Sequence, residues 1–219
     1  MRDLLPPPVV VVEAGPADWV GALLPAEAAG IGERAVQGRR REFTAGRVCA
    51  RRAMAALGLP AAPVLAAADR SPVWPAGVVG AITHTAGYCA AAVARDTDVR
   101  SVGMDAERHT ALSPRVRRVV LRPEEEEHLA RLPGGADWAA VVVFSVKETV
   151  YKVWHPVVRS WLGFQDATVE LDPDAGTFTA RINPQRVAAA AVTEPPALVT
   201  GRFAVADGLV RTAAVLPLR

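Results

Sequence analysis

Lysine is almost missing from this chain of 219 residues: 25 residues are Lys or Arg, and only Lys147 and Lys152 are lysine. The heavy use of Ala, Val, Arg and Pro fits a GC-rich bacterial coding bias, in which Arg readily replaces Lys. Two lysines five residues apart therefore mark a place where a compact, flexible ammonium is wanted and a planar fork is not. Cysteine is scarce too, and Cys49 and Cys89 read as buried thiols, not as a disulfide framework. Aromatic residues make up 5% of the chain and the net charge is +2, which argues against a nucleic-acid binder. No apolar run approaches the roughly 20 residues of a membrane span; "AAVVVF" at 139–144 is among the longest. The opening stretch "MRDLLPPPVVVVEAG" lacks the layout of a signal peptide, so a cytoplasmic protein is expected. No repeat and no low-complexity linker stands out. With 51% hydrophobic and 22% charged residues, the chain is globular and long enough for one large domain or two small ones.

A first strand is expected at Val9–Val12. From about Glu33 to Leu57 the pattern is helical, with Phe43, Ala50, Met54 and Leu57 as an apolar stripe ended by Gly58 and Pro60. Arg47 and Arg51 are i,i+4 neighbours on it, with Arg39, Arg40 and Arg41 upstream. Val78–His84 and Tyr88–Ala94 read as strands around a turn containing Gly87, and Val99–Asp105 as a third. In a simple meander the first and third run parallel, which would put His84 and the acids after Met104 on one edge. Ser113-Pro114 and Pro123 mark helix starts, and "PEEEEHLARL" reads as a helix whose acids Glu124–Glu127 form a solvated first turn. After Pro133-Gly134-Gly135 a helix runs from about Ala136 to Trp154. Strands follow at 166–171 and 177–182, then a hairpin turning at Asp207-Gly208. Each half thus combines helix with antiparallel strands, an α+β arrangement dividing into residues 1–105 and 106–219.

The junction carries the chemistry. Asp105 and Glu107 are two residues apart in a strand and point to the same side. Two carboxylates about 4 Å apart repel by roughly 4 kcal/mol at an effective dielectric near 20, so the pair lies in open water or has a cation between its members. On the 136–154 helix, Val142, Val146, Val150 and Val153 face a core, while Ser145, Glu148 and Lys152 share another face flanked by Lys147 and Tyr151.

Four segments, "GRVCARRA" (46–53), "WPAGVVGAITHTAGY" (74–88), "VGMDAE" (102–107) and "FSVKETVYK" (144–152), together with "WLGF" (161–164), resemble the phosphopantetheinyl transferases of the surfactin/enterobactin type in order and spacing. The resemblance covers the chain from about residue 39 to the last hairpin. It implies a pseudo-twofold pair of α+β subdomains with the site between them. It also implies transfer of the 4′-phosphopantetheine arm of coenzyme A to a serine of acyl or peptidyl carrier proteins, releasing adenosine 3′,5′-bisphosphate. By the same resemblance Asp105, Glu107 and Glu148, with the Ala106 carbonyl, would hold Mg²⁺ or Mn²⁺. Glu148 would take the serine proton, and Lys152, Lys147 and His84 would stabilise phosphate charge. Arg39 and Arg47 align with contacts to the adenosine 3′-phosphate, with Arg51 a further candidate; Thr83 would hydrogen-bond the nucleotide and Trp161 line the pantetheine channel.

Two positions depart from the family pattern. Ala81 stands where a serine is usual ahead of Thr83-His84, and Ala66 where relatives carry a lysine, leaving Arg70 as the nearby base. They support one alternative, a catalytically weak relative that binds coenzyme A, while the arginine-rich helix leaves a second, a nucleic-acid binder. Tyr88, Tyr151, Trp74 and Cys89 read as packing residues, and His109, His128 and His155 carry no signal. An internally paired fold implies a monomer, with neither nucleic acid nor membrane as partner.

Overall fold

The computed structural model describes residues 1–32 and 34–218. The first half runs β1 (Val10–Ala14), α1 (Pro25–Ala28), α2 (Gln37–Ala56), β2 (Leu65–Ala66), β3 (Pro72–Val73), β4 (Val78–Thr85) and β5 (Tyr88–Arg95). The second runs β6 (Val99–Arg108), α3 (Pro114–Val120), α4 (Pro123–Ala130), α5 (Ala136–Val158), β7 (Ala167–Asp172), β8 (Thr177–Ile182), α6 (Pro184–Ala188), β9 (Leu198–Ala206) and β10 (Leu209–Pro217). The expected start of the first long helix, Glu33, lies outside the described residues.

Strand alternation sets up four layers. In β5, Cys89, Ala91 and Val93 face α2, whereas Ala90, Ala92 and Ala94 face a central core. In β6, Val102, Met104 and Ala106 join that same core, so Gly103, Asp105 and Glu107 turn the other way, towards α5. The order is α2, the three-stranded sheet β1-β5-β4, the five-stranded sheet β6-β10-β9-β8-β7, then α5. The fold is α+β, with two halves that each pack a long helix on an antiparallel sheet.

Val142, Val146, Val150 and Val153 are fully buried against the five-stranded sheet, as their spacing predicts. α5 crosses β6 at Gly103, where an added Cβ would stand 2.3 Å from the Thr149 carbonyl oxygen; only glycine permits that approach. Asp207 and Gly208 both adopt left-handed backbone (φ 56° and 71°), the type I′ geometry that suits a two-residue hairpin.

Three expectations need correction. The strands at 78–85, 88–95 and 99–108 are not a meander: β5 pairs with β4 and β1, and β6 pairs with β10. β4 still lies against β6, because each is the edge of its own sheet and the two edges meet. β6 belongs to the second sheet from Val99 onward. α5 continues past Trp154 to Val158 with Pro156 in its last turn, closed by Arg159 N–H donating to the His155 carbonyl at 2.9 Å. Lastly, the first turn of α4 is not uniformly solvated, since Glu125 is 1% exposed.

Candidate active site at the junction of the halves

Asp105 is the hub. It is buried near the end of β6, and its carboxylate accepts from the Lys152 ammonium (2.7 Å) and the Thr83 hydroxyl (3.2 Å) on Oδ1, and from the Ser145 hydroxyl (2.9 Å) on Oδ2. Thr83 comes from β4 and also accepts the Ala106 amide at 3.1 Å, so one hydroxyl stitches the two sheet edges together. In an antiparallel ladder a residue's N–H and C=O point to the same side. The Ala106 carbonyl therefore faces β4, not β10. Behind Asp105 runs a buried hydroxyl chain: Thr212 Oγ1 donates to the Ser145 carbonyl (3.0 Å) and lies 2.7 Å from Thr149 Oγ1. Thr212 is the cross-strand partner of Asp105, a relation set by the hairpin register and invisible to motif matching.

Glu107 and Glu148 complete an acidic corner. Burial, the Asp105 charge and the Glu148 charge push Glu107 up to about 7, with Lys152 opposing. Glu148 is also raised, mainly by burial and then by Asp105, again against Lys152. Three carboxylates thus share one field with one ammonium. They are not a preformed cage: among the described residues no group of three or more His, Cys, Asp or Glu is arranged to hold a metal ion. The donor set nevertheless fits a hard divalent cation. All of it is oxygen, it carries excess negative charge, and Mg²⁺ typically takes one or two carboxylates and completes its shell with water and substrate phosphate.

His84 lies on the α2 side of β4. Arg39 donates to its Nε2 at 2.8 Å, and Glu42 lies 3.5 Å from its Nδ1. Burial, with Arg39 and Lys152 nearby, lowers its pKa below the usual histidine range, despite Glu42 and Asp105. A guanidinium N–H can only donate, so His84 Nε2 is the acceptor of the Arg39 bond.

Other expected residues are placed elsewhere. Lys147 is buried and donates to the Val120 carbonyl (2.7 Å), Glu125 Oε2 (2.7 Å) and the Phe164 carbonyl (2.8 Å); helix rotation puts it on the far side of α5 from Asp105. Arg47 stacks on Phe43 and donates to the Val64 and Leu65 carbonyls, while burial lowers its pKa to about 10. Arg51 pairs with buried Glu27 and donates to the Ala22 carbonyl at 2.6 Å. These two arginines brace the segment around Val64 and do not reach the acidic corner. Trp161 is 68% exposed and packs at a tilt of 56° against Tyr151, with ring centroids 5.2 Å apart.

A cleft of about 440 Å³ opens beside the corner. Its walls are β4 from Val78 to Ile82, the 69–74 hairpin, Arg100 and Ser101, and the α5 residues Glu148, Tyr151, Lys152 and His155. Ser101 Oγ is buried there without a hydrogen-bond partner among the described residues. Ala81 lines the cleft; Ala66 does not. No helix of the described residues is long and apolar enough to cross a membrane.

Comparison with known proteins now bears on this geometry. Residues 26–94 match the family profile described as the 4′-phosphopantetheinyl transferase N-terminal domain, and residues 101–205 match the 4′-phosphopantetheinyl transferase superfamily. The chain is 44% identical to 4′-phosphopantetheinyl transferase Svp of Streptomyces mobaraensis over 202 residues, covering 90% of this chain and 80% of that one. It is 41% identical to 4′-phosphopantetheinyl transferase PptT of Mycobacterium tuberculosis over 196 residues, covering 88% and 86%. Enterobactin synthase component D of Salmonella typhi is 32% identical over 137 residues, covering 60% of this chain and 54% of that one. The chain belongs to the 4′-phosphopantetheinyl transferase superfamily and is a transferase of the surfactin/enterobactin type.

Proposed function

We propose that this enzyme moves the 4′-phosphopantetheine group of coenzyme A onto a serine hydroxyl of acyl or peptidyl carrier proteins in the cytoplasm, acting as a monomer and releasing adenosine 3′,5′-bisphosphate. The observation that carries the reading is the acidic corner at the mouth of a cleft between the halves: Asp105, Glu107 and Glu148 around Lys152. The carboxylates of Asp105, Glu107 and Glu148, with the Ala106 carbonyl, would hold Mg²⁺, or Mn²⁺ in its place. When bound, the ion supplies positive charge against the diphosphate and the clustered acids.

The chain's own residues supply the rest. Glu148, raised above an ordinary carboxylate, is the better base for the serine proton. As the serine oxygen bonds to the β-phosphorus, the bond to the bridging oxygen breaks and its electron pair leaves with the nucleotide. Lys152, beside Asp105, would donate to a nonbridging phosphate oxygen as negative charge builds there. Arg39, held on His84, adds a guanidinium on the β4 side. Asp105 is fixed by Thr83 and Ser145 as well as by Lys152, which holds its oxygens in place.

Mass spectrometry tests the reading. An apo carrier incubated with coenzyme A and Mg²⁺ gains one phosphopantetheine mass, and a chelator abolishes the gain. Failure across a panel of fatty acid, polyketide and nonribosomal peptide carriers, with coenzyme A still bound, would leave a binding protein in place of a transferase.

A further inference from the structure

Three hydroxyls are buried between α5 and the five-stranded sheet. Asp105 and Thr212 are cross-strand partners, so both point at α5, and Ser145 comes down between them. Thr149 lies one turn on from Ser145, on the same face of α5. Ser145, Thr149 and Thr212 are all 0% exposed. Ser145 Oγ is 2.9 Å from Asp105 Oδ2 and 2.9 Å from Thr212 Oγ1, and Thr212 Oγ1 is 2.7 Å from Thr149 Oγ1. The core residues of the same two elements, Val142, Val146, Val150, Val210 and Ala214, are apolar.

Each hydroxyl carries one proton, and counting protons fixes the direction of the chain. An ionised carboxylate only accepts, so the Ser145 proton is committed to Asp105. Thr212 donates to Ser145, its proton shared between the carbonyl (3.0 Å) and Oγ. Thr149 must then donate to Thr212. The order is Thr149 to Thr212 to Ser145 to Asp105, each bond polarising the next. Packing does not ask for these hydroxyls. Valine has the shape of threonine, and replacing both partners of a buried hydrogen bond by apolar groups of like shape is nearly neutral or stabilising. Asp105 itself has little accepting capacity left. Of the roughly four lone-pair sites on a carboxylate, Lys152 and Thr83 occupy two on Oδ1 and Ser145 one on Oδ2.

We propose that Thr212 is a positioning residue that acts through Ser145 to hold Asp105 as a one-point ligand for a small divalent cation. This rests on the reading that the acidic corner takes such an ion. With Ser145 locked by Thr212, Asp105 offers its remaining lone pair, on Oδ2, in one direction. Thr149 donates to Thr212 and so keeps the Thr212 proton turned towards Ser145. Mg²⁺ demands near-ideal octahedral positions, whereas Ca²⁺ tolerates irregular shells and also takes carboxylates by both oxygens. A carboxylate confined to one free lone pair therefore favours the smaller ion.

Free Mn²⁺ counted by electron paramagnetic resonance tests the lock without relying on turnover. The full chain is titrated with coenzyme A present, a coenzyme-only titration is subtracted, and Mg²⁺ and Ca²⁺ are then added as competitors. Thr212→Val weakens Mn²⁺ binding roughly tenfold, the lower end of the span for groups that orient a metal ligand. In the same variant the preference for Mg²⁺ over Ca²⁺ shrinks. Thr212→Ser keeps the hydroxyl and returns the Mn²⁺ affinity to within about twofold of the parent. In transfer assays the Mg²⁺ concentration for half-maximal rate rises in Thr212→Val, while kcat at saturating Mg²⁺ stays within about twofold. Thr149→Val/Thr212→Val removes both hydroxyls without stranding either, so it folds about as stably as the parent and shows the same loss of Mn²⁺ affinity. The positioning role is overturned if the parent binds Mn²⁺ and both valine variants bind it equally well, or if Thr212→Ser is as impaired as Thr212→Val. A parent that binds coenzyme A but no Mn²⁺ overturns the cation reading of the corner, and this proposal with it.

Discussion

Glu148 and Glu107 illustrate how one corner gives like residues different tasks. Burial raises Glu148, with Lys152 opposing and Asp105 adding, so its carboxylate is a stronger base than an exposed one. Glu148→Gln should lower kcat by about 10²–10³, within the span of general acid–base catalysis, while coenzyme binding by calorimetry stays within about twofold. Transfer at the parental rate would remove Glu148 as base. Glu107 makes a pH prediction. Its carboxyl is raised from 4.5 to about 7, so between those values the native state binds more protons than the unfolded chain. In chelator, stability should therefore fall as pH rises through that window, and Glu107→Gln should flatten the slope. His84, lowered from 6.5, acts in the opposite direction, so parent and variant must be compared on one buffer series. An unchanged slope in the variant would show that Glu107 is not the titrating group. These acids were legible in the sequence because strand and helix periods put them on defined faces. Thr212 was not, because its place opposite Asp105 depends on a pairing between β10 and β6 that is distant in the chain.

At the scale of elements, Lys147 shows where motif reading stops. Both lysines of "FSVKETVYK" look equivalent in one dimension. Five residues of helix turn them through about 500°, so they face apart: Lys152 reaches Asp105, whereas Lys147 joins α5 to the end of α3, to α4 and to the Phe164 turn. Glu125 in turn accepts the Val169 amide (2.7 Å) and the Arg122 amide (2.8 Å), so one buried ion pair ties together α5, α3, α4, the Phe164 turn and β7. That also explains why the acidic run of α4 misled: its dipole-favoured first turn hides one acid that packs inward. Lys147→Met strands the Glu125 charge and should cost about 3–5 kcal/mol by denaturant unfolding. Lys147→Met/Glu125→Leu should recover much of that loss and remain active well below its midpoint. A stable but inactive double variant would return Lys147 to the chemistry. The long helices and the last hairpin were legible because amphipathic period and Asp-Gly chemistry are local signals. The partner of β6 is a long-range choice, and a three-strand meander satisfied the same alternation.

At the scale of the whole molecule, the pseudo-twofold description hides how the halves are joined. β6 belongs to the second sheet, yet Val102, Met104 and Ala106 share a core with Ala81, Ala90, Ala92 and Ala94 of the first. The small alanine faces of β5 let the two sheets come together without large interlocking side chains. Thr83 then closes the seam by serving Asp105 and the Ala106 amide at once. A shared core leaves neither half able to unfold while the other keeps its buried surface, so calorimetry should give one transition with calorimetric and van't Hoff enthalpies in agreement. Thr83→Val removes the hydroxyl and leaves a buried amide without its acceptor, at a cost of about 1–3 kcal/mol, and Thr83→Ser should recover most of it. If the seam is what couples the halves, the valine variant lowers the single midpoint without splitting it. Two separated transitions in the parent would mean that the central core belongs to one half alone, and that the active corner sits on a hinge and not on a weld.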